Sequence, residues 1–395
     1  MNKVQSWGSI ILFCILIFGF GIVTLVSPDA EYSKTENRTL AQMPKVRLQT
    51  ILDGTFESDY EEYLTDQFVL RDSWIALKTT VERAAGRTQI NDIYFAEDDY
   101  LIEAHTGTFT AAQAQTNIQL LAQFAEQYAA VFGTDHMTVM IIPNAVDILR
   151  EKLPAFASPY DEEEYLTQIE TALAEVLAET AAVADAEDEP ASVWFDARSV
   201  LSEHSGEEIY YRTDHHWKTL GAFYVYQAWA APQGFAVPAL EQYEIETVTD
   251  SFEGTIQSKL GIHTVTDSIE LFRNTEEPAY TVEMDKSGEL LESIYDYSAL
   301  ETKSKYDIFF GGNNALTQIR TQAETGRKIL VIKDSYAHCF VPFLISEFDE
   351  IDVLDIRYYN QELSALISEG EYTDLLFLYN ASGFAEDTSL TKLLY

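Results

Sequence analysis

The chain has 395 residues, 65 of them acidic and 25 basic, for a formal charge of −40. Such a charge repels nucleic acid and anionic lipid before contact, which argues against both as partners, and the acidic residues read as a solubilising surface. A hydrophobic share of 47% is that of a folded protein, long enough for one large core with insertions or for two domains.

The first element, Trp7 to Val26, carries no charge and at about 1.5 Å per residue spans a ~30 Å hydrocarbon core. Lys3 precedes it while Asp29 and Glu31 follow it, so the positive-inside tendency puts the N-terminus in the cytoplasm and the rest of the chain outside. Residues 1–30 are therefore expected to be a membrane anchor and 31–395 an extracytoplasmic body. A cleaved signal peptide is the rival, but its apolar region usually runs about 7–15 residues, and Leu25-Val26-Ser27-Pro28 is a poor cleavage site. Cys14 lies in the apolar segment and Cys339 stands alone, which offers the body no internal disulfide.

Beyond the anchor come Glu36-Asn37-Arg38-Thr39-Leu40 and an amphipathic pattern from Tyr60 to Ala84, with Tyr63, Phe68, Trp74, Leu77 and Val81 at helical spacing. It predicts a membrane-proximal helix. Short apolar runs at Thr138–Ile142, Val193–Phe195, Lys328–Ile332, Ile351–Leu354 and Leu375–Tyr379 predict strands, and Ala111–Phe132 and Tyr165–Ala181 predict helices. Buried parallel strands with crossover helices, an α/β fold, fit this order. From about 243 to 310 the pattern alternates, as in Ile245–Thr249, Ser268–Phe272 and Tyr280–Met284, and predicts an antiparallel β insertion. Thr180 to Ala191 reads as a helix end running into an exposed loop.

Three polar clusters can carry chemistry. In Thr213-Asp214-His215-His216-Trp217, ahead of the helical pattern Lys218–Ala230, an Asp two residues before a His can reach its Nδ1 and free Nε2 as a general base. Asp214 as a simple helix cap, or the Asp-His-His run as a zinc or manganese site, are the alternatives, though no further ligand spacing supports a metal. The second cluster is Lys333-Asp334-Ser335-Tyr336-Ala337, which ends an apolar strand and leads into an expected helix at Tyr336–Ile345. That presents Ser335 at a strand's carboxyl end, beside backbone N–H groups able to hold an oxyanion; an ordinary N-cap explains the same residues. The third, Phe309-Phe310-Gly311-Gly312-Asn313-Asn314-Ala315, pairs glycines that admit close backbone approach with amide donors, and is expected to precede another helix. A plain turn is its alternative. Arg357 and Asn380 each follow a strand and can orient a substrate, or serve as surface and turn residues.

Taken together, Asp214-His215-His216-Trp217, Lys333–Ala337, Phe309–Asn313, Arg357-Tyr358-Tyr359 and Glu36-Asn37-Arg38 resemble the DHHW proteins, bacterial relatives of the alginate O-acetylation proteins AlgJ and AlgX. The resemblance covers nearly the whole body. It implies a three-layer SGNH-hydrolase-like parallel sheet with helices on both faces, and a triad in which Asp214 orients His216, His216 is the base and Ser335 the nucleophile. Gly312, Asn313, His215, Arg357 and Tyr336 are then the candidates for oxyanion or substrate binding. One departure is Lys333, where SGNH hydrolases usually have a glycine, beside the expected oxyanion pocket. No metal or cofactor is expected, and no acetyl-CoA motif is visible.

The function implied is an O-acetyltransferase or acetylesterase acting on a surface polysaccharide or cell-wall glycan, supplied by a multi-pass membrane acyl donor if it transfers. A catalytically silent polysaccharide-binding or assembly protein is the alternative from another class, and a metal-dependent phosphoesterase the third. The distance from Ser335 Oγ to His216 Nε2 separates the first two.

Overall fold

The computed structural model describes residues 3–33, 38–183 and 191–395. Glu36 and Asn37 of the Glu-Asn-Arg run, and residues 184–190 of the expected acidic loop, lie outside the described residues. The chain forms two compact units, Met1–Asn91 with Gln257–His263, and Asp92–Ile256 with Thr264–Tyr395.

In the first unit, helix α1 (Lys3–Val26) contains the Trp7–Val26 stretch, with a mean hydropathy of 2.8 and most of its apolar side chains exposed. The single membrane-proximal helix expected from the periodicity is instead two, α2 (Thr55–Asp66) and α3 (Arg71–Ala84). Two local features mark the break. Leu70 takes the left-handed conformation with φ 58°. Gln67, just past α2, pins the chain at the break, its side-chain amide bonded to the backbone of Ala30 and Ala41 at 2.8 and 2.9 Å.

The second unit is built on helices α4 (Ala112–Phe132), α5 (Glu162–Val183), α6 (Ala197–Glu203) and α7 (Thr219–Ala230) around one principal sheet. Its strands are β1 (Met137–Ile142), β4 (Tyr280–Met284), β5 (Leu290–Leu291), β6 (Leu316–Thr321), β7 (Lys328–Lys333), β8 (Glu350–Leu354) and β9 (Asp374–Asn380), in the order β5-β4-β6-β8-β7-β9-β1. A separate antiparallel ribbon pairs β2 (Tyr243–Phe252) with β3 (Asp267–Asn274). Strands β8, β7, β9 and β1 are mutually parallel, and the Val193–Phe195 run adds a parallel bridge beside Val139. The antiparallel segment thus divides: β2 and β3 stand apart, while β4 and β5 extend the principal sheet through β6. Strand β6 stands where a helix was expected after Asn314. Its β-branched Thr317, Ile319 and Thr321 fit a pleated surface, and its backbone pairs with β8 from Leu316↔Leu354 to Arg320↔Glu350.

Alternation along β9 explains why both sheet faces are covered. Leu375, Phe377 and Tyr379 pack with Leu121 and Phe124 of α4, Leu173 of α5, and helices α8 (Leu363–Gly370) and α9 (Ala381–Glu386). Leu376 and Leu378 point the other way, into the cluster of Leu201, Phe223 and Tyr226. Each such fully buried side chain contributes roughly 1.5–3 kcal/mol, and the two clusters make a three-layer α/β arrangement. The carboxyl ends of β1, β7, β8 and β9 share one edge of the sheet, where Asn144, Asp334-Ser335 and Asp355 follow their strands and Asn380 ends β9.

Candidate active site

The Asp-His-His-Trp run is held in a closed loop. Tyr210 pairs with Trp217 across an antiparallel bridge, Tyr211 N donates to His216 O at 3.2 Å, and Lys218 N donates to Ile209 O at 2.8 Å. At the loop's tip, Asp267 accepts from Arg212 N (3.0 Å), Thr213 N (2.8 Å) and Thr213 Oγ1 (2.6 Å). Trp217 anchors the other side: it is fully buried, its indole N–H donates to Tyr336 O at 2.8 Å, and its ring stacks on Tyr336. Gly254 lies so close to the loop that a Cβ there would stand 2.3 Å from Asp214 Cβ and 2.5 Å from Thr213 O.

This frame leaves Asp214 buried with both oxygens engaged. Oδ1 takes His216 Nδ1 at 2.6 Å and the His216 backbone N–H at 3.1 Å, while Oδ2 accepts from Thr255 N at 2.8 Å and Thr255 Oγ1 at 3.0 Å. A carboxylate only accepts, so the proton sits on His216 Nδ1 and Nε2 is left as the acceptor. Burial pushes the Asp214 carboxyl up, but the adjoining His215 and His216 and these hydrogen bonds outweigh it and hold the group well below the usual carboxylate range. The helix-cap reading of Asp214 is thereby corrected, because its oxygens are taken by His216 and Thr255.

His216 Nε2 lies 2.7 Å from Ser335 Oγ, a hydrogen bond between residues on loops 119 positions apart. Ser335 itself is partly exposed at the end of β7. Asp334 shapes the turn behind it: Oδ1 accepts from Tyr336 N at 2.8 Å, and Oδ2 accepts from Asn380 N and Nδ2 at 2.8 and 2.6 Å. The segment expected to be an α-helix is two short 3₁₀ turns, Ser335–Cys339 and Val341–Leu344, with Pro342 in the second. Proline supplies no N–H at that position to carry an α-helical ladder through.

Residues 196–354 match the DHHW protein family, and both loops fall inside that stretch. Among solved structures, a DHHW family protein from Eubacterium siraeum is similar at 23% identity and a TM-score of 0.57, covering 78% of this chain and 96% of that one. Bacillus cereus PatB1 with a sulfonyl adduct is similar at 21% identity and a TM-score of 0.54, covering 75% and 98%. The O-acetyltransferase domain of Pseudomonas putida AlgJ is more distant, at 12% identity and a TM-score of 0.43, covering 76% and 94%. Among curated proteins no sequence matches. At these identities the first two likenesses speak to the fold, which is that of the DHHW and PatB1 structures.

The other residues predicted for the site fall into three groups. His215 is half-buried beside the relay, its Nδ1 2.9 Å from Thr255 Oγ1 and its ring 3.9 Å from that of His216. Tyr336 is fully buried; its hydroxyl donates to the His215 carbonyl and its ring backs Trp217. It is placed as a strut under the histidine loop. Gly312 and Asn313 stand on a separate turn in which Phe310, Gly311 and Gly312 all take positive φ, and Asn313 Oδ1 meets Arg357 Nη2 at 3.5 Å. Arg357 grips Asp355 at 2.8 and 2.6 Å, and Lys333 reaches the same carboxylate at 3.0 Å. Lys333 is thus buried in an ion pair, with His338 Nε2 2.9 Å from its ammonium.

Asp214, His215 and His216 offer ligand atoms within 4.8 Å of one another, close enough for a cation. The donor set argues otherwise: both Asp214 oxygens and His216 Nδ1 are already spent on one another and on Thr255. Several contributors escaped the sequence reading. Tyr306 stacks on His216 with centroids 3.9 Å apart and donates its hydroxyl to Ser335 O at 3.3 Å. Asn144, at the carboxyl end of β1, donates to Asn380 Oδ1 at 3.2 Å and accepts from Ser382 N at 2.9 Å. Its position after a parallel strand was the available signal; Thr255 and Tyr306 had none.

Proposed function

We propose that the protein is an O-acetyltransferase or acetylesterase that modifies a surface polysaccharide or cell-wall glycan through Ser335, His216 and Asp214. The observation that carries this is the continuous relay from Asp214 Oδ1 through His216 to Ser335 Oγ, at 2.6 and 2.7 Å. In this mechanism Ser335 Oγ attacks the acyl carbonyl while His216 Nε2 takes its proton, and the imidazolium is stabilised by the ionised Asp214. The Ser335 N–H donates to the oxyanion, and the Asn313 side-chain amide is a further candidate donor, whereas the Gly312 N–H is bonded to Phe309 O at 3.2 Å. His216 returns the proton to the leaving oxygen, giving an acyl-Ser335. A sugar hydroxyl or water then attacks that ester as His216 again takes the proton; His216 returns it to Ser335 Oγ as the acyl–Oγ bond breaks, releasing the acetylated sugar or acetate. Arg357, fixed by Asp355, is positioned to orient substrate beside Asn313.

In this reading α1 is an uncleaved anchor that holds the body at the outer face of the membrane, next to its glycan. Transfer requires an acyl donor delivered across the membrane, for which a multi-pass acyltransferase is the expected partner. The test is acetyl release from p-nitrophenyl acetate by the detergent-solubilised full chain, beside Ser335→Ala and His216→Ala, each checked for folding by circular dichroism. A loss on the order of 10³-fold or more in both is expected. Equal rates in all three folded proteins would defeat the proposal and leave the polysaccharide-binding reading.

A further inference from the structure

The first unit carries an apolar surface whose place is set by α1. The α1 stretch Trp7–Val26 matches the hydrocarbon thickness over its whole length, so Phe20 lies about 9 Å inside the outer boundary at 1.5 Å per residue. Yet Phe20 is not surrounded by lipid alone. Its ring packs edge-on against Trp74 at 5.4 Å and stacks with Phe68 at 6.4 Å, and Thr24 Oγ1 accepts from Val69 N at 3.3 Å. The segment 68–74 is therefore folded back along the outer turns of α1. If the leaflet ended below Phe20, then Ile22, Val23, Leu25 and Val26, all exposed on the helix, would stand in water.

Helix α3 continues that surface. One of its faces is used inside the unit: Thr79 is buried and donates to Leu260 O at 2.8 Å, and Ala76 N lies 3.1 Å from where a Cβ on Gly261 would stand. The opposite face leaves Trp74, Leu77 and Val81 at 40, 52 and 57% exposure, at helical spacing, next to Leu70 at 61%. Nearer the end of α1, Tyr63 of α2 donates to Asp29, at the level where a tyrosine suits the bilayer interface.

We infer that α3 is a second membrane contact, lying in the outer leaflet with Leu70, Trp74, Leu77 and Val81 toward the acyl chains while α1 spans the bilayer. The inference rests on α1 being retained as the anchor. It also supplies α1 with partners in the body, which a cleaved signal has no need of. Recognition is apolar, through a helix face continuous with the span, so it does not depend on anionic headgroups.

The test is depth-dependent quenching on the full chain carrying Cys14→Ser, with Cys339 left in place because it is fully buried. A fluorescent label is placed at Leu77→Cys, at Val81→Cys, at Asp59→Cys on α2, or at Leu25→Cys in α1. Each protein is reconstituted into phosphatidylcholine vesicles containing lipids spin-labelled along the acyl chain. Labels at 77 and 81 are expected to shift to the blue and lose emission to the acyl-chain quencher, like the label at 25, while the label at 59 stays unquenched. Adding phosphatidylglycerol should leave this unchanged. Quenching at 25 without quenching at 77 and 81 overturns the inference and leaves the anchor standing; no quenching at 25 overturns both. A blue shift at 77 and 81 without lipid quenching also overturns it, since a protein would then be covering the face.

Discussion

Two carboxyl groups in the second unit are sealed from water almost equally, Asp214 at 3% and Glu162 at 0% exposure, and they are driven to opposite charge states. Asp214 receives four hydrogen bonds from His216 and Thr255 and lies between two imidazoles, so it stays ionised in spite of its burial. Glu162 receives one, from Asn144 N at 2.7 Å, and its Oε2 has no partner among the described residues. The cations nearest it, Arg150 and Arg198, are held by Asp147 at 3.0 and 2.6 Å. Burial, then the Asp147 charge, push Glu162 up to about 8. Burial alone thus does not tell a catalytic carboxylate from a neutral one; the donors around it do.

The largest expected effect comes from removing the charge on the ionised side. Asp214→Asn keeps the shape but lets the amide present N–H to His216, and kcat should fall by roughly 10³–10⁴ with the fold intact by circular dichroism. A fall under tenfold would mean the relay is not what activates Ser335.

The neutral side is probed by pH. A folded-state pKa near 8 against an ordinary 4.5 means the native chain keeps a proton that the unfolded chain gives up between those values. The contribution is fully present below about 4.5 and is lost as pH rises through 8, at up to about 1.4 kcal/mol per pH unit and a few kcal/mol in all. Urea unfolding of wild type and Glu162→Gln from pH 5 to 8.5 should show this descending component in the first and not in the second. Parallel curves would mean that Glu162 is ionised in the native state.

The smallest effect separates frame from charge. Gly254→Ala puts a methyl 2.3 Å from Asp214 Cβ and should cost about 1–3 kcal/mol in urea unfolding, with loss of kcat as the Asp214 side chain shifts. Unchanged stability and rate would show that the loop has room the structure does not suggest.

Much of the sheet was legible because its strands are apolar runs bounded by helical patterns. All five predicted runs pair in parallel, Val193–Phe195 through a single bridge. Strand β6 was not legible, since Leu-Thr-Gln-Ile-Arg-Thr is only one-third apolar and owes its state to partners on both sides. At the site, the Asp214–His216 contact was legible because two residues of separation suffice to form it. Thr255 and Tyr306 were not: one is an ordinary threonine after a glycine, the other a tyrosine in a short 3₁₀ turn, and each acts only through a partner distant in the chain. Tyr336 and Lys333 were visible as motif residues, but their burial under the loop and against Asp355 was not.

The sequence by itself determined what local chemistry can encode: an apolar helix of bilayer length, an α/β strand order, an Asp beside its His, and a serine at the end of a buried strand. Tertiary structure alone decided that His216 and Ser335 meet at 2.7 Å, because their loops are brought together by the packing of Trp217 on Tyr336 and by the sheet edge beneath Ser335. It decided equally that Asp214 is charged and Glu162 neutral. The ionisation of a buried carboxyl depends on donors within a few ångströms, and those donors come from remote parts of the chain.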